Sequence, residues 1–208
     1  MFFRGGKALK VLALGNKDLS APYELSELIE SLGDEPIAYH QRFDLDFLEQ
    51  NKIEFIVSYR YRFLIKEPIL TAFQNRVINL HPSLLPWCRG YYPNFWSFYD
   101  DTPRGVTIHQ IDETIDTGNV IVQEELFFND KNTLRETYDV CHHTMLSLFK
   151  ENWEIIRTGS YKSFPQDKNA GTLHLKEDFT KIQHHLPRGW DTTIAEIRRM
   201  KWNASRKV

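Results

Sequence analysis

Asn79 and His81 stand two residues apart at the end of an apolar run, and Asp116 opens a tight Asp116-Thr117-Gly118 turn downstream. In a strand, side chains two apart project to the same face, so a carboxamide and an imidazole are presented together. The turn leads into another strand and can aim its carboxylate back at the histidine. Such a trio suits acyl transfer to an amine. A carboxamide donor and a protonated imidazole stabilise an oxyanion. An imidazole or a carboxylate takes the proton the amine must lose, and the carboxylate fixes the imidazole's tautomer. Spacing alone leaves the bland alternative standing, since a strand-end histidine is more often a hydrogen-bonded structural residue.

The elements around the trio set where it lies. Apolar runs at 10–15, 36–39, 53–58 and 76–80 alternate with helical patterns at 23–32 (closed by Gly33), 43–50 and 65–73. Strands alternating with helices predict an α/β fold, with a Rossmann-like, mostly parallel sheet covered on both faces. Such sheets bind ligands at the carboxyl ends of their strands. Residues 106–111 alternate as a half-buried strand should, and 120–127 follow as another. Asn132 or Thr133 caps a long helix with a stripe of Leu134, Tyr138, Cys141, Met145, Leu148 and Ile156. Beyond Gly159 the pattern weakens to one strand at 171–175 and a helix at 193–200. The reading divides the chain into a catalytic domain, 1–158, and a short C-terminal region, 159–208.

Composition narrows the function classes. The chain has 208 residues, 41% of them hydrophobic, enough to bury a core without staples. Its formal net charge of -2 lacks the basic excess a nucleic-acid partner requires. No apolar run reaches the roughly 18 residues that span a bilayer, and the first seven residues do not read as a secretory leader. The two cysteines, Cys88 and Cys141, show no paired or metal spacing, which points to a reducing cytoplasm. No metal site is expected: His184-His185 lacks further ligands and reads as surface. His142 and His143 lie off the helix stripe and read as solvated. The sequon at Asn203 lacks a secretory context, and the basic residues of 198–207 read as a solvated helix end and tail.

Asn79-Leu80-His81-Pro82-Ser83-Leu84-Leu85-Pro86, followed by Arg89-Gly90, resembles a signature of the formyltetrahydrofolate-dependent transferases. Gly105-Val106-Thr107 with Asp116-Thr117-Gly118 and Ile121 resembles their second, in the right order. The resemblance covers residues 8–158, with a fainter echo at Gly171-Thr172-Leu173-His174. It implies the formyltransferase fold, Asn79, His81 and Asp116 as catalytic residues, and N10-formyltetrahydrofolate as formyl donor. In that family the folate lies along the loop after the histidine and the loop before the aspartate. Here those are Leu84, Leu85, Pro86, Trp87, Arg89 and Gly90, and Ile111, Asp112, Thr114 and Ile115. Plain core packing is an equal reading for Leu84, Leu85 and Trp87.

The segments 58–62, 91–96 and 171–174 look like those of the sugar nucleotide N-formyltransferases. That implies Tyr59, Arg60, Tyr61, Arg62, Tyr91, Tyr92 and Asn94 as substrate residues. Aromatic planes stack a base or cover a hexose, and arginine pairs with pyrophosphate. An aromatic core wall with surface arginines is the alternative. Family frequency implies a dTDP-4-amino-4,6-dideoxyhexose acceptor, used for cell-surface polysaccharides such as O-antigen, and a homodimer. Methionyl-tRNA formyltransferases carry a long C-terminal domain that holds tRNA, for which 159–208 is short. Glycinamide ribonucleotide transformylases carry a glycine-rich phosphate loop after the first strand, where this chain has Gly15-Asn16-Lys17-Asp18 with a single glycine. The same loop lacks the Gly-x-Gly-x-x-Gly of nicotinamide cofactors. Two other classes stay open: a formylfolate hydrolase using the same trio with water, and a non-catalytic nucleotide-binding module, which has no need of all three residues.

Overall fold

The computed structural model describes residues 7–16, 21–167 and 169–204. Residues 1–6, Lys17 and Asp18 of the first loop, and the end of the basic tail from Ser205 lie outside the described residues. Strands β1 (Lys10–Leu14), β2 (Glu35–Tyr39), β3 (Phe55–Tyr59) and β4 (Val77–His81) alternate with helices α1 (Ala21–Ser31), α2 (Leu45–Gln50) and α3 (Ile69–Ala72). Then come β5 (Arg89–Gly90), α4 (Pro93–Tyr99), β6 (Gly105–Gln110), β7 (Val120–Glu125) and α5 (Leu134–Arg157). The chain ends with β8 (Leu173–His174), α6 (Lys176–Ile182) and α7 (Ile194–Ala204).

The main sheet runs β2-β1-β3-β4-β6-β7, parallel through β4, with β6 antiparallel to both β4 and β7, as the sequence predicts for a mostly parallel sheet. The central parallel strands β1 and β3 carry apolar residues on both faces because both faces are covered. Val11, Ala13, Phe55, Val57, Ile78 and Leu80 pack on one side with α1 and α5, while Leu12, Leu14, Ile56 and Val77 pack on the other with α2 and α3. Thr133 starts α5 with a capping box: its hydroxyl accepts from the Glu136 N–H at 3.2 Å, and its own N–H donates to the Glu136 carboxylate at 2.9 Å. Beneath α5 the buried Asp34 carboxylate accepts from Leu9 N–H (2.7 Å) and Trp153 Nε1 (2.6 Å), and pairs with Arg157 at 2.9 Å.

Two expectations are corrected. Strand β6 is buried on both faces rather than half-buried: Thr107 and His109 are as inaccessible as Val106 and Ile108. β6 lies inside the sheet: Thr107 finds partners in the loop after β4, and His109 in the Gln110 carbonyl and Asn79. His142 is not solvated either. Tyr59 Oη lies 2.6 Å from its Nδ1 and Glu24 Oε2 lies 2.6 Å from its Nε2. His143, His184 and His185 are exposed as expected.

The C-terminal residues return to the body of the protein. β8 pairs in parallel with β5, and Phe179, Ile194 and Ile197 share one apolar cluster with Cys88, Phe95, Trp96, Phe98 and Leu134. Among the described residues, no helix is long and apolar enough to cross a membrane.

Candidate active site

Strand β4 puts Asn79 and His81 on one face, and β6 lies antiparallel beside it, with His109 opposite Asn79 and Thr107 opposite His81. The loop after β4 folds over that face. Thr107 Oγ1 donates to Ser83 O at 2.7 Å and accepts from Leu85 N–H at 3.1 Å, and Ser83 Oγ donates to Trp87 O at 2.6 Å. The loop thereby presents the Cys88 carbonyl to His81 Nε2 at 3.1 Å. That nitrogen carries a proton, and Nδ1 is left facing Asp116 Oδ2 at 3.5 Å.

The loop before β7 delivers Asp116. Asp112 accepts from Thr114 N–H (3.1 Å) and Thr117 Oγ1 (2.7 Å), closing the turn, and Gln166 Nε2 donates to the carbonyls of Asp116 (2.9 Å) and Gly118 (2.8 Å). Asp116 itself sits at φ 53°, a left-handed conformation that aspartate tolerates better than most residues. Its Oδ2 accepts from Gly90 N–H at 2.9 Å and its Oδ1 from Asn79 Nδ2 at 3.2 Å, with His109 Nε2 at 3.5 Å. Gly90 is required at its position. Its φ is 90°, and a Cβ there would stand 2.2 Å from the His174 carbonyl.

These contacts set the charges. Burial acts to raise the Asp116 pKa, but His81, His109 and the Gly90 N–H outweigh it and hold the carboxyl well below the usual range. For His81, burial dominates and pushes the imidazole below its usual value, against the pull of Asp116, with His109 adding to the shift. At neutral pH the resting site is therefore a charged Asp116 beside a neutral His81, whose Nδ1 is a proton acceptor with a waiting counter-charge. The orientation of Asn79 follows from Asp116, since turning the carboxamide would set its oxygen against a carboxylate. Its amide nitrogen then donates to Asp116 at 3.2 Å and lies 3.2 Å from His109 Nε2. His109 Nδ1 lies 2.7 Å from the Gln110 carbonyl and donates to it.

A cleft of about 260 Å³ opens on this group. Asn79, His109 and Asp116 reach its wall, with His81 buried behind them. Of the residues expected to hold folate, Gly90, Ile111, Asp112, Thr114 and Ile115 line it. Leu85 is buried, and Leu84, Pro86, Trp87 and Arg89 are half-buried outside its wall, fixing the loop to the body. Of those expected to hold substrate, Tyr61, Arg62 and Tyr91 line it. Tyr59 is buried against His142, and Asn94 is buried in α4, donating to Thr137 Oγ1 at 3.0 Å. Arg60 and Tyr92 lie outside this cleft. Sequence reasoning missed Phe63, Leu64, Ile65, His109 and Lys176 on its wall, and marked His174 only as part of the 171–174 segment. The signal for His109 was its place on a strand that could pair with Asn79, which only the register reveals. Among the described residues, no group of three or more His, Cys, Asp or Glu side chains is placed to hold a metal.

An open α/β sheet with an asparagine, a histidine and an ionised aspartate gathered beside a cleft is an arrangement fit for acyl transfer. Comparison with known proteins makes the class specific. The formyl transferase family model matches residues 20–151, and the chain belongs to that family. The structure is similar to that of the formyltransferase PseJ from Anoxybacillus kamchatkensis, with 41% identity, a TM-score of 0.83, and coverage of 90% of this chain and 97% of that one. That structure holds UDP-4,6-dideoxy-4-formamido-L-AltNAc and tetrahydrofolate. The dTDP-4-amino-4,6-dideoxyglucose formyltransferase of Mycobacterium bovis is 33% identical over 52% of this chain and 46% of its own length. The methionyl-tRNA formyltransferase of Fusobacterium nucleatum is 31% identical over 68% of this chain and 48% of its own. The chain thus spans about half the length of the curated relatives it matches.

Proposed function

We propose that the protein transfers the formyl group of N10-formyltetrahydrofolate to the primary amine of a nucleotide-linked amino-dideoxy sugar. The observation that carries this reading is the convergence of Asn79, His109 and Asp116 on one cleft, with His81 set against Asp116 behind them. Bound formylfolate supplies an activated formyl carbon. The walls fit it: Phe63, Leu64, Ile65, Ile111 and Ile115 offer apolar faces to a flat heteroaromatic ring, and polar groups lie at one end. Asn79 keeps one amide hydrogen on Asp116 and offers the other to the oxyanion that develops on the formyl oxygen, a charged acceptor. The proton lost by the amine passes to Asp116 or to His81 Nδ1, where it completes an ion pair. As the carbon–nitrogen bond to the sugar forms and the bond to folate breaks, that proton returns to the departing folate nitrogen.

The match to PseJ, longer and at higher identity than those to the curated relatives, supports a UDP-linked 4-amino-4,6-dideoxy sugar bearing an N-acetyl group. A dTDP-linked 4-amino-4,6-dideoxyhexose is the second reading, supported by the mycobacterial relative. A cytoplasmic homodimer serving cell-surface polysaccharide synthesis goes with either. The test is a panel of UDP- and dTDP-linked 4-amino and 3-amino sugars, glycinamide ribonucleotide and methionyl-tRNA, each with formylfolate. Mass spectrometry reads the gain of one CO. The UDP-4-amino sugar should react fastest. Efficient formylation of the tRNA, or of glycinamide ribonucleotide alone, would overturn the proposal.

A further inference from the structure

Two stretches beyond α5, 164–166 and 171–174, lie outside the residues that the family model matches, 20–151, yet both touch the catalytic loops. Phe164 pairs with Val120 at the start of β7, each N–H donating to the other's carbonyl at 2.8 Å. Gln166 then reaches the turn that carries Asp116. Its Nε2 donates to the carbonyls of Asp116 and Gly118, one on either side of Thr117. Its Oε1 is buried with no hydrogen-bond partner among the described residues, a cost to the fold. What the side chain contributes is therefore its two donations to the turn.

The second stretch holds the loop after β4. Thr172 Oγ1 accepts from Cys88 N–H at 2.9 Å, and Thr172 O accepts from Arg89 N–H at 2.9 Å. The Cys88–Arg89 peptide is thereby fixed at both edges, its N–H on Thr172 and its carbonyl on His81 Nε2. One peptide further, Gly90 N–H holds Asp116, and then Tyr91 N–H donates to His174 O at 2.8 Å. Gly171 lies against Pro86, whose carbonyl would stand 2.0 Å from a Cβ there. The backbone under these contacts is strained. Cys88 at φ 55° and Asp116 at φ 53° are both left-handed, a conformation that persists in a residue other than glycine only where the surroundings over-determine it. These two residues set His81 between them: Cys88 takes the Nε2 proton, and Asp116 faces Nδ1.

We infer that Gln166 and Thr172 are positioning residues for formyl transfer: Gln166 holds the backbone that aims Asp116, and Thr172 holds the Cys88 carbonyl that fixes which nitrogen of His81 carries the proton. The kinetic consequence rests on the formyl-transfer reading of the cleft, whereas the effect on His81 rests on the geometry alone. Neither residue touches the cleft, so neither binds a reactant. If the Cys88–Arg89 peptide turns, Nε2 loses its acceptor, the proton is free to move to Nδ1, and the base facing Asp116 is gone.

The experiment compares three variants of the intact protein with wild type. Thr172→Val removes the hydroxyl at nearly constant shape, Thr172→Ser keeps it, and Gln166→Met removes both donations at similar volume. Two quantities are read: turnover with formylfolate and the amino sugar nucleotide that reacts fastest, and the His81 tautomer. Long-range ¹H–¹⁵N NMR of the imidazoles gives the tautomer without any substrate, His81 being the signal lost in His81→Asn. Thr172→Val and Gln166→Met should lower kcat by a factor on the order of ten, short of the roughly 100-fold cost of a 1 Å misplacement, with both KM values unchanged. Thr172→Val should also move proton density to His81 Nδ1, and Thr172→Ser should restore both readouts. Because Gln166 acts through Asp116, the double variant Gln166→Met, Asp116→Asn should turn over no more slowly than Asp116→Asn alone. Wild-type kcat in Thr172→Val and Gln166→Met, or an unmoved tautomer in Thr172→Val, would overturn the inference. So would fully additive losses in the double variant, which mark a loosened fold and not a misplaced carboxylate. Where Gln166→Met does not fold, Thr172→Val against Thr172→Ser decides. A tautomer that answers to Thr172 in a protein that formylates no amine would leave the positioning standing and remove the formyl-transfer reading.

Discussion

Replacing Asp116 by asparagine preserves the shape of the side chain and removes its charge. The backbone accommodates it, because asparagine tolerates the left-handed φ of 53°. The amide oxygen must stay at the Oδ2 position, where it accepts from the Gly90 N–H at 2.9 Å. The amide nitrogen then takes the Oδ1 position, facing the Asn79 Nδ2, now 3.2 Å from a carboxylate. One charge-assisted hydrogen bond is lost, a cost of about 1.5–3 kcal/mol. Relief from burying a carboxylate offsets part of it. A net loss of about 1–2 kcal/mol corresponds to a melting shift of roughly 2–8 °C for a chain of this size. Catalysis suffers far more. His81 Nδ1 loses the counter-charge 3.5 Å away, and the amine loses a proton acceptor. Turnover should fall by a factor on the order of 100 to 10,000. Thermal melts and initial rates with saturating formylfolate measure both. A folded D116N protein working at near wild-type rate would refute the reasoning.

Other perturbations follow from the same geometry. His81 and His142 are both held below the usual histidine range, chiefly by burial, so below about pH 6.5 the unfolded chain binds more protons and stability drops as pH falls. The double variant His81→Asn, His142→Asn should flatten that slope in urea unfolding from about pH 7 to 5, and an unchanged slope would contradict the burial of both rings. Gly90→Ala should cost more than about 2 kcal/mol and cut turnover at least roughly tenfold, since its Cβ meets the His174 carbonyl and drags the N–H from Asp116; unaltered melting would show that β5 and β8 do not pair. Asp34→Ala removes the buried charge that pairs with Arg157 and accepts from Leu9 N–H and Trp153 Nε1, and should cost about 3–5 kcal/mol, read as a lower urea midpoint, with little change in turnover per folded molecule. An unmoved midpoint would show that the Asp34 contacts beneath α5 do not hold the fold.

The parallel half of the sheet was legible because strands buried on both faces read as short, mostly apolar runs, and 10–15, 53–58 and 76–80 are such runs. Asn79, His81 and Asp116 were legible from residue type, order and local turn chemistry. What pairing and packing decide was not. Nothing near His109 says that it stands opposite Asn79. The two-residue strands β5 and β8 are too short to carry a period, yet their pairing brings His174 and Lys176 to the cleft wall. The helix stripe put His142 on the outside because a stripe counts apolar residues alone, and a polar residue at its margin can meet the end of a strand, here Tyr59. Asn94 looked like a ligand residue beside tyrosines, but α4 turns it inward to α5.

The most direct test of the central claim uses formylfolate labelled with ¹³C at the formyl carbon, followed by NMR in the presence and absence of a UDP-linked 4-amino-4,6-dideoxy sugar. The account predicts that the label appears as a sugar formamide, one for each tetrahydrofolate released, and that it stays on folate when the amine is withheld. Label appearing as free formate at the same rate with or without the amine would contradict it and make the protein a hydrolase.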